Sequence, residues 1–317
     1  MTESKKQFIL PLFDEFLLYL QTNNYSQETL YSYERDLKVF EDFLQDSGFK
    51  FENLTRQSIE LYKAYLNSID RETPAGKIAQ EHLRSFSLNR MLSSLRSYTR
   101  YLIDMDYKTP IVPQNIKLVR TERRHPKVPE LQELIRLIES PSELEKNLLV
   151  AKRNRAMLEV LFSTGMRISE LAKLQRSQID HTGRIFIMGK GKKERFVYLT
   201  ERAIKYLQEY LKARNDPFRA LFVPYRGKNS ASKTKYISPN YLQEKIKEYR
   251  EILGINIPLS AHSLRHGFAT YLAEQGANPA AIQTLLGHES LATTTRYVHT
   301  SDKYAQTTHK RFHPLQK

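Results

Sequence analysis

The sequence predicts a mainly α-helical protein with a small β-sheet, built as two domains. Three observations predict this. Apolar residues recur at alternating steps of three and four along most of the chain, the spacing of one helical face. Two short β-rich runs within RIFIMGKGKKERFVYLT are joined by a Gly- and Lys-rich turn, a hairpin signal. A proline-rich stretch with a basic cluster separates the helical first third from the mixed remainder. A length of 317 residues is enough for two domains, each with its own core. The expected organisation is a helical domain over residues 1–108, a linker over 109–128 and a mixed α/β domain over 129–317.

Taken in order, FILPLFDEFLLYLQ is a first amphipathic helix. Leu30, Tyr33, Leu37, Phe40 and Leu44 form the stripe of a second, with Ser26 as N-cap and Gly48 as its end. A third begins after Thr55, and a fourth carries Leu88, Leu92, Leu95 and Leu102 on one face. On the opposite side of the fourth lie Arg90, Ser93, Ser97 and Arg100, types suited to phosphate contacts. That stripe alone equally describes a solvated helix face. The segment between the third and fourth helices is longer than a tight turn requires and has room for a short helix. Beyond the linker, ELQELIRLIES and AKRNRAMLEVLFSTG read as helices, then the hairpin, then helices again from ERAIKYLQEYLKAR onward, with a polar loop at residues 224–237.

Composition narrows the function. Cysteine is absent, which removes disulfides, cysteine nucleophiles and Cys-based zinc sites. No apolar run approaches the ~18 residues of a membrane span, and MTESKKQFIL lacks a signal-peptide core, so a cytoplasmic protein is expected. Net charge is +15, and its placement matters more than its size. Residues 1–110 hold 14 basic and 16 acidic residues, whereas residues 111–317 hold 36 and 19. The whole excess lies in the second part, which points to a polyanionic partner, most simply nucleic acid. In the linker, Arg120, Arg123, Arg124 and Lys127 are candidate contacts to a phosphate backbone.

Four stretches carry the chemistry together. In STGMRISEL, Gly165 ends a helix and Arg167 starts the next. GKGKKER places Lys190 and Lys192 in the hairpin turn, without the Walker A pattern. SAHSLRHGFATYL sets His262 and Arg265 three apart on one helical face. LLGHESLATTTRYVHT holds His288 and Tyr297. Each alone is weak, and any one of 19 tyrosines is an ordinary packing residue. Jointly, two arginines and a lysine make a clamp for a phosphoryl group, a tyrosine is a nucleophile for phosphorus, and histidines move protons near neutrality. No acidic pair or metal-ligand triad accompanies them, which points to metal-free transesterification with no cofactor.

In that order, Arg, Lys, His-x-x-Arg, His and Tyr, the chain resembles the tyrosine recombinase (phage integrase) family. TGMRISEL, SAHSLRHGFATYLAEQG, IQTLLGHESLATTTRYVHT and GKGKKER are most similar to its Xer-type branch, and YSQETLYSYERDLKVFEDFL resembles the core-binding domain of that family. The resemblance implies a C-shaped clamp on double-stranded DNA. It implies Tyr297 as nucleophile, Arg167 and Arg265 on the scissile phosphate, and Lys190 protonating the leaving 5′ oxygen. It gives His262 a part in proton transfer, His288 a part in supporting the phosphate, and Glu170 a part in ordering the site. It implies dimers on inverted half-sites, a tetramer exchanging strands through a Holliday junction, and a tail, SDKYAQTTHKRFHPLQK, that docks on a neighbouring protomer. A second recombinase or a DNA translocase is a further possible partner. The segment around residues 67–87 is roughly ten residues longer than the usual Xer pattern. Dimer resolution in chromosome segregation and cell division, and integration of a mobile element, share this active site. A DNA-binding protein without catalysis explains the charge equally well but not the residue set.

Overall fold

The computed structural model describes residues 9–69, 82–121, 129–188, 194–227, 230 and 235–287. The chain divides into two compact units, residues 1–125 and 126–317. As the sequence predicts, both are dominated by helices, and the one sheet among the described residues is a two-stranded hairpin.

The first unit contains α1 (Phe13–Thr22), α2 (Gln27–Ser47), α3 (Arg56–Asn67) and α4 (Ser85–Asp104). The boundaries have local causes. Ser26 Oγ accepts the Thr29 N–H at the start of α2, and Gly48 closes the helix in the left-handed region with φ 68°. Thr55 and Ser58 make a reciprocal capping box at the start of α3. Leu37, Phe40 and Leu44 from the α2 stripe are buried, and so are Leu88, Leu92, Leu95 and Leu102 of α4. Aromatic rings fill the space between the helices. Tyr62 lies 4.8 Å from Phe40 and 5.1 Å from Phe43, centroid to centroid. The short helix anticipated between α3 and α4 falls largely outside the described residues.

The stretch read as a linker is not free chain along its whole length. Ile111 and Ile116 are buried in the core of the first unit. Asn89 of α4 clasps the backbone of Val119, accepting its N–H at 2.8 Å and donating to its carbonyl at 2.9 Å. The apolar residues between the prolines make this segment pack where composition suggested extended chain.

The second unit is built around α7 (Leu148–Thr164), buried on nearly every side. Before it come α5 (Leu131–Glu139) and α6 (Pro141–Leu144); after it come the short α8 (Ile168–Ala172) and the hairpin of β1 (Arg184–Met188) and β2 (Glu194–Tyr198). Helices α9 (Glu201–Ala213), α10 (Pro239–Ile252), α11 (Ala261–Glu274) and α12 (Pro279–Leu286) follow. The strands pair antiparallel, with Ile185 opposite Val197 and Ile187 opposite Arg195. These four residues face the interior, so one arginine shares an otherwise apolar sheet face. Other buried charged groups in the unit also have partners. Arg153 lies between the rings of Tyr225 and Tyr241 and donates to the Val223 carbonyl at 2.8 Å. Glu159 accepts from Arg155 and Arg202.

Candidate active site

The site begins where α7 ends. Gly165 caps the helix with φ 60°, its N–H returning to the Leu161 carbonyl at 3.0 Å. Glycine is required here twice over. The backbone is left-handed, and a Cβ would lie 2.3 Å from Cδ1 of Phe268 on α11. Two residues later the chain starts α8 with Arg167 at the N-cap, as the sequence predicts. Glu170 folds back so that Oε2 accepts the Arg167 N–H at 2.7 Å, while Oε1 meets Arg167 Nη1 at 3.1 Å. The Arg167 side chain keeps 39% of its surface exposed.

Helix α11 supplies the next part. Ser260 caps it through a reciprocal bond with Ser263. His262 and Arg265 then fall on one face, as their spacing requires. Arg265 is buried; its Nη1 donates to the Gly165 carbonyl at 2.6 Å and its Nη2 to the Leu286 carbonyl at 2.6 Å. His262 is more exposed, and its Nε2 lies 2.8 Å from Nε2 of His266. One of these two nitrogens must therefore be unprotonated. Partial burial, then the positive charges of Arg265 and Arg167, hold the His262 imidazole below its ordinary pKa. A neutral His262 at physiological pH follows.

The third part is the C-terminal end of α12, where three successive carbonyls each receive an arginine. Arg195 Nε donates to Leu285 at 2.9 Å, Arg265 Nη2 to Leu286 at 2.6 Å, and Arg167 Nη2 reaches Gly287 at 3.5 Å. Carbonyls at a helix end lack partners within the helix and carry its negative dipole end, so cations satisfy both demands. Arg195 also forks onto Glu170, with Nη1 to Oε1 at 2.9 Å and Nη2 to Oε2 at 2.6 Å. Burial pushes the Glu170 carboxyl upward, but hydrogen bonds and charge from Arg195 and Arg167 outweigh it and hold the carboxyl below its ordinary range.

Sequence reasoning placed Arg167, Glu170, His262 and Arg265 as site residues, and they converge. It assigned no role to Arg195 or His266. The available signal for Arg195 was strand alternation: it shares phase with the inward-facing Val197. Lys190, Lys192, His288 and Tyr297 lie outside the described residues, as do Arg123, Arg124 and Lys127.

In the first unit, Arg100 and Arg120 are exposed. Arg90 is not a free cation: its Nη1 donates to both oxygens of Asp36 at 2.6 Å, and the Asp36 side chain is fully buried. Ser94 Oγ adds a bond to the same carboxylate at 2.9 Å. Among the described residues, no group of three His, Cys, Asp or Glu is placed to hold a metal ion.

Among the described residues, three arginines gather with one carboxylate and a histidine beside them, a donor set suited in charge to an anion such as a phosphoryl group. Comparison with known proteins narrows the class. Residues 130–304 match the phage integrase family, and residues 13–105 match the phage integrase N-terminal SAM-like domain. The tyrosine recombinase XerD of Staphylococcus epidermidis is 31% identical, with 96% of this chain and 98% of that protein covered. The tyrosine recombinase XerC of Pediococcus pentosaceus is 33% identical, with 96% and 98% covered. Among solved structures, the XerH site-specific recombinase bound to a palindromic difH substrate matches with TM-score 0.70 and 21% identity, over 94% of this chain and 83% of that one. A lambda integrase dimer bound to a COC′ core site matches with TM-score 0.68 and 17% identity, over 92% and 95%. At these identities the two structures speak for the fold alone. The chain belongs to the phage integrase family, the tyrosine recombinases.

Proposed function

We propose that this chain is an Xer-type site-specific DNA recombinase that cuts and rejoins duplex DNA through a 3′-phosphotyrosyl intermediate. The observation that carries the reading is the convergence of Arg167 and Arg265 on the carbonyls of Gly287 and Leu286 at the end of α12, with His262 near both arginines and Tyr297 ten residues beyond Gly287 in sequence. Arg167 and Arg265 hold the non-bridging oxygens of the scissile phosphate and offset charge gained in the transition state. The Tyr297 hydroxyl attacks phosphorus, giving its proton to His262, whose depressed pKa keeps a base available. The bond from phosphorus to the 5′ oxygen breaks, and Lys190 protonates the leaving oxygen. His288 supports the phosphate. The new ester conserves the energy of the broken bond, so the reverse attack by a 5′ hydroxyl reseals the strand without ATP.

The partner is double-stranded DNA with inverted half-sites. The active assembly is a tetramer of this chain on two such sites, passing through a Holliday junction, with a second recombinase or a DNA translocase as a further partner. Similarity to XerD and XerC proteins over nearly the full length favours resolution of chromosome or plasmid dimers in the cytoplasm. Integration or excision of a mobile element uses the same chemistry and is separated by the location of the target. Among the described residues, no helix is long and apolar enough to cross a membrane.

The test is capture of covalent adducts. Protein mixed with genomic DNA of its host is quenched in denaturing detergent, and attached DNA is sequenced. A peak at one locus, lost in Tyr297→Phe while DNA binding persists and unaffected by excess chelator, is the expected result. Adducts that survive Tyr297→Phe would refute the assignment of the nucleophile.

A further inference from the structure

We propose that Arg195 is a positioning residue for strand cleavage: it engages both oxygens of the Glu170 carboxylate, so that the Arg167 guanidinium meets it through one nitrogen only, and it pins the carbonyl end of α12. This rests on the proposed function, since the reaction it serves is cleavage at Tyr297.

The geometry sets Arg195 apart from the other two arginines. It projects inward from β2 with a side chain only 6% exposed, so it is not placed to meet DNA directly. Both oxygens of Glu170 are engaged by its fork, at 2.9 and 2.6 Å, and its Nε reaches the Leu285 carbonyl at 2.9 Å. One side chain thus joins three segments remote in sequence. These are α8 with Arg167 and Glu170, the hairpin that carries Lys190 between its strands, and the helix end that leads to His288 and Tyr297. Gly287 leaves room for this: a Cβ there would stand 3.0 Å from Arg195 Cδ.

The electrostatic consequence concerns Arg167. Glu170 is matched mainly by the buried Arg195, and only Nη1 of the Arg167 guanidinium touches it, at 3.1 Å. The rest of the exposed guanidinium keeps its charge for an anion. Without Arg195, the carboxylate has Arg167 as its nearest cation, and a two-pronged pair between them would offset the charge meant for the phosphate. Lysine is not an equivalent replacement, because a point-like ammonium does not present a planar fork to two carboxylate oxygens while also reaching a carbonyl.

The experiment compares wild type, Arg195→Met, Arg195→Lys, Glu170→Gln and the double variant Arg195→Met/Glu170→Gln. In Glu170→Gln the new amide oxygen still accepts the Arg167 N–H, but it carries no charge to hold the guanidinium. Three quantities are read: half-site binding, the rate of covalent adduct formation on a nicked suicide substrate, and amide hydrogen exchange across α12. Arg195→Met is expected to bind within about twofold of wild type and to form adduct roughly 10–100-fold more slowly, a loss typical of a residue acting through others. Adding Glu170→Gln is expected to raise that rate by roughly fivefold or more, because the two residues are directly coupled. Arg195→Lys should fall between Arg195→Met and wild type. Exchange in α12 should quicken in Arg195→Met.

A wild-type adduct rate in Arg195→Met would overturn the proposal. So would a double variant slower than Arg195→Met, the additive loss expected of two merely structural residues. If wild type itself forms no adduct, the proposed function fails instead. The exchange measurement then still decides the pinning of α12, which unchanged protection in Arg195→Met would overturn.

Discussion

Gly165→Ala is the substitution for which the structure yields the most complete arithmetic. Two penalties add at this position. The first is the left-handed backbone, φ 60°, which costs a residue with a Cβ about 1–2 kcal/mol. The second is the overlap with the Phe268 ring, 2.3 Å to Cδ1 and 2.7 Å to Cε1, which forces ring or helix to shift. Overpacking of this kind costs about 1–3 kcal/mol. The second unit contains its own control. Gly254 has nearly the same φ, 65°, and nothing within 4 Å of an added Cβ. Gly254→Ala therefore carries the first penalty without the second.

The difference between the variants isolates the clash, about 1–3 kcal/mol in favour of Gly254→Ala. Both lie in residues 126–317, so they report on the same unfolding transition. For a unit of that size the difference corresponds to roughly 2–12 °C in melting temperature. The chain has no tryptophan, so far-UV circular dichroism is the suitable probe. Adduct formation adds a second reading. The Gly165 carbonyl holds Arg265 at 2.6 Å, so displacing this turn moves an arginine proposed to bind the scissile phosphate. Gly165→Ala should lose cleavage at temperatures where it remains folded, and Gly254→Ala should not. Equal melting temperatures, or full cleavage by Gly165→Ala, would refute the reasoning from packing to site.

Two further predictions concern the charged groups. The His262 imidazole titrates below its usual 6.5 in the folded protein, so the unfolded chain takes up this proton first as pH falls. Stability contributed by neutral His262 is thus present above pH 6.5 and is lost as pH falls through the lower folded value. The acid limb of the adduct-formation rate should lie below pH 6.5, and His262→Asn should remove both this limb and the matching part of the pH–stability slope. An acid limb at or above that pH would count against His262 as the base. On the first unit, Arg100→Ala should lower the slope of log binding constant against log salt by about 0.9, the effect of one lost phosphate contact, without changing which half-site is preferred. An unchanged slope would return Arg100 to the solvated face. Arg90→Ala is a poorer probe, because it strands the buried Asp36 carboxylate.

What the sequence made legible was whatever is decided within a few residues. Ser26, Gly48, Thr55 and Gly165 mark helix ends because capping is a local transaction between a side chain and amides or carbonyls close by. Arg167 opens a helix for the same reason, and His262 with Arg265 share a face by spacing alone. What stayed hidden was pairing across long separations. Asp36 and Arg90 are 54 residues apart, and Glu170 and Arg195 are 25 apart. Nothing in either stretch says that a buried carboxylate waits for that arginine. The prolines near residue 110 suggested extended linker, yet Ile111 and Ile116 among them had apolar surface to bury, and it is buried in the first core. Burial won there because proline forbids regular helix but not packing.

The choice of partners explains how a site this rich in arginine stays ready for an anion. An arginine held by a carboxylate is fixed but largely neutralised, whereas one held by carbonyls is fixed and keeps its full charge. Arg265 has partners of the second kind in the carbonyls of Gly165 and Leu286, each at 2.6 Å. Those carbonyls lie at helix ends, where the backbone has acceptors to spare and a dipole that favours cations. That arrangement requires the helix ends to be held in register, because a carbonyl that drifts by about an ångström releases its guanidinium. Gly165 and Gly287 answer this by letting α11 and Arg195 approach the backbone closely, and the Arg195–Glu170 pair answers it by bracing α12 against α8. Glu170, the one carboxylate of the cluster among the described residues, therefore serves the scaffold more than the proposed phosphate. Its charge is matched mainly by the buried arginine, which leaves most of the Arg167 guanidinium for the DNA proposed to enter there.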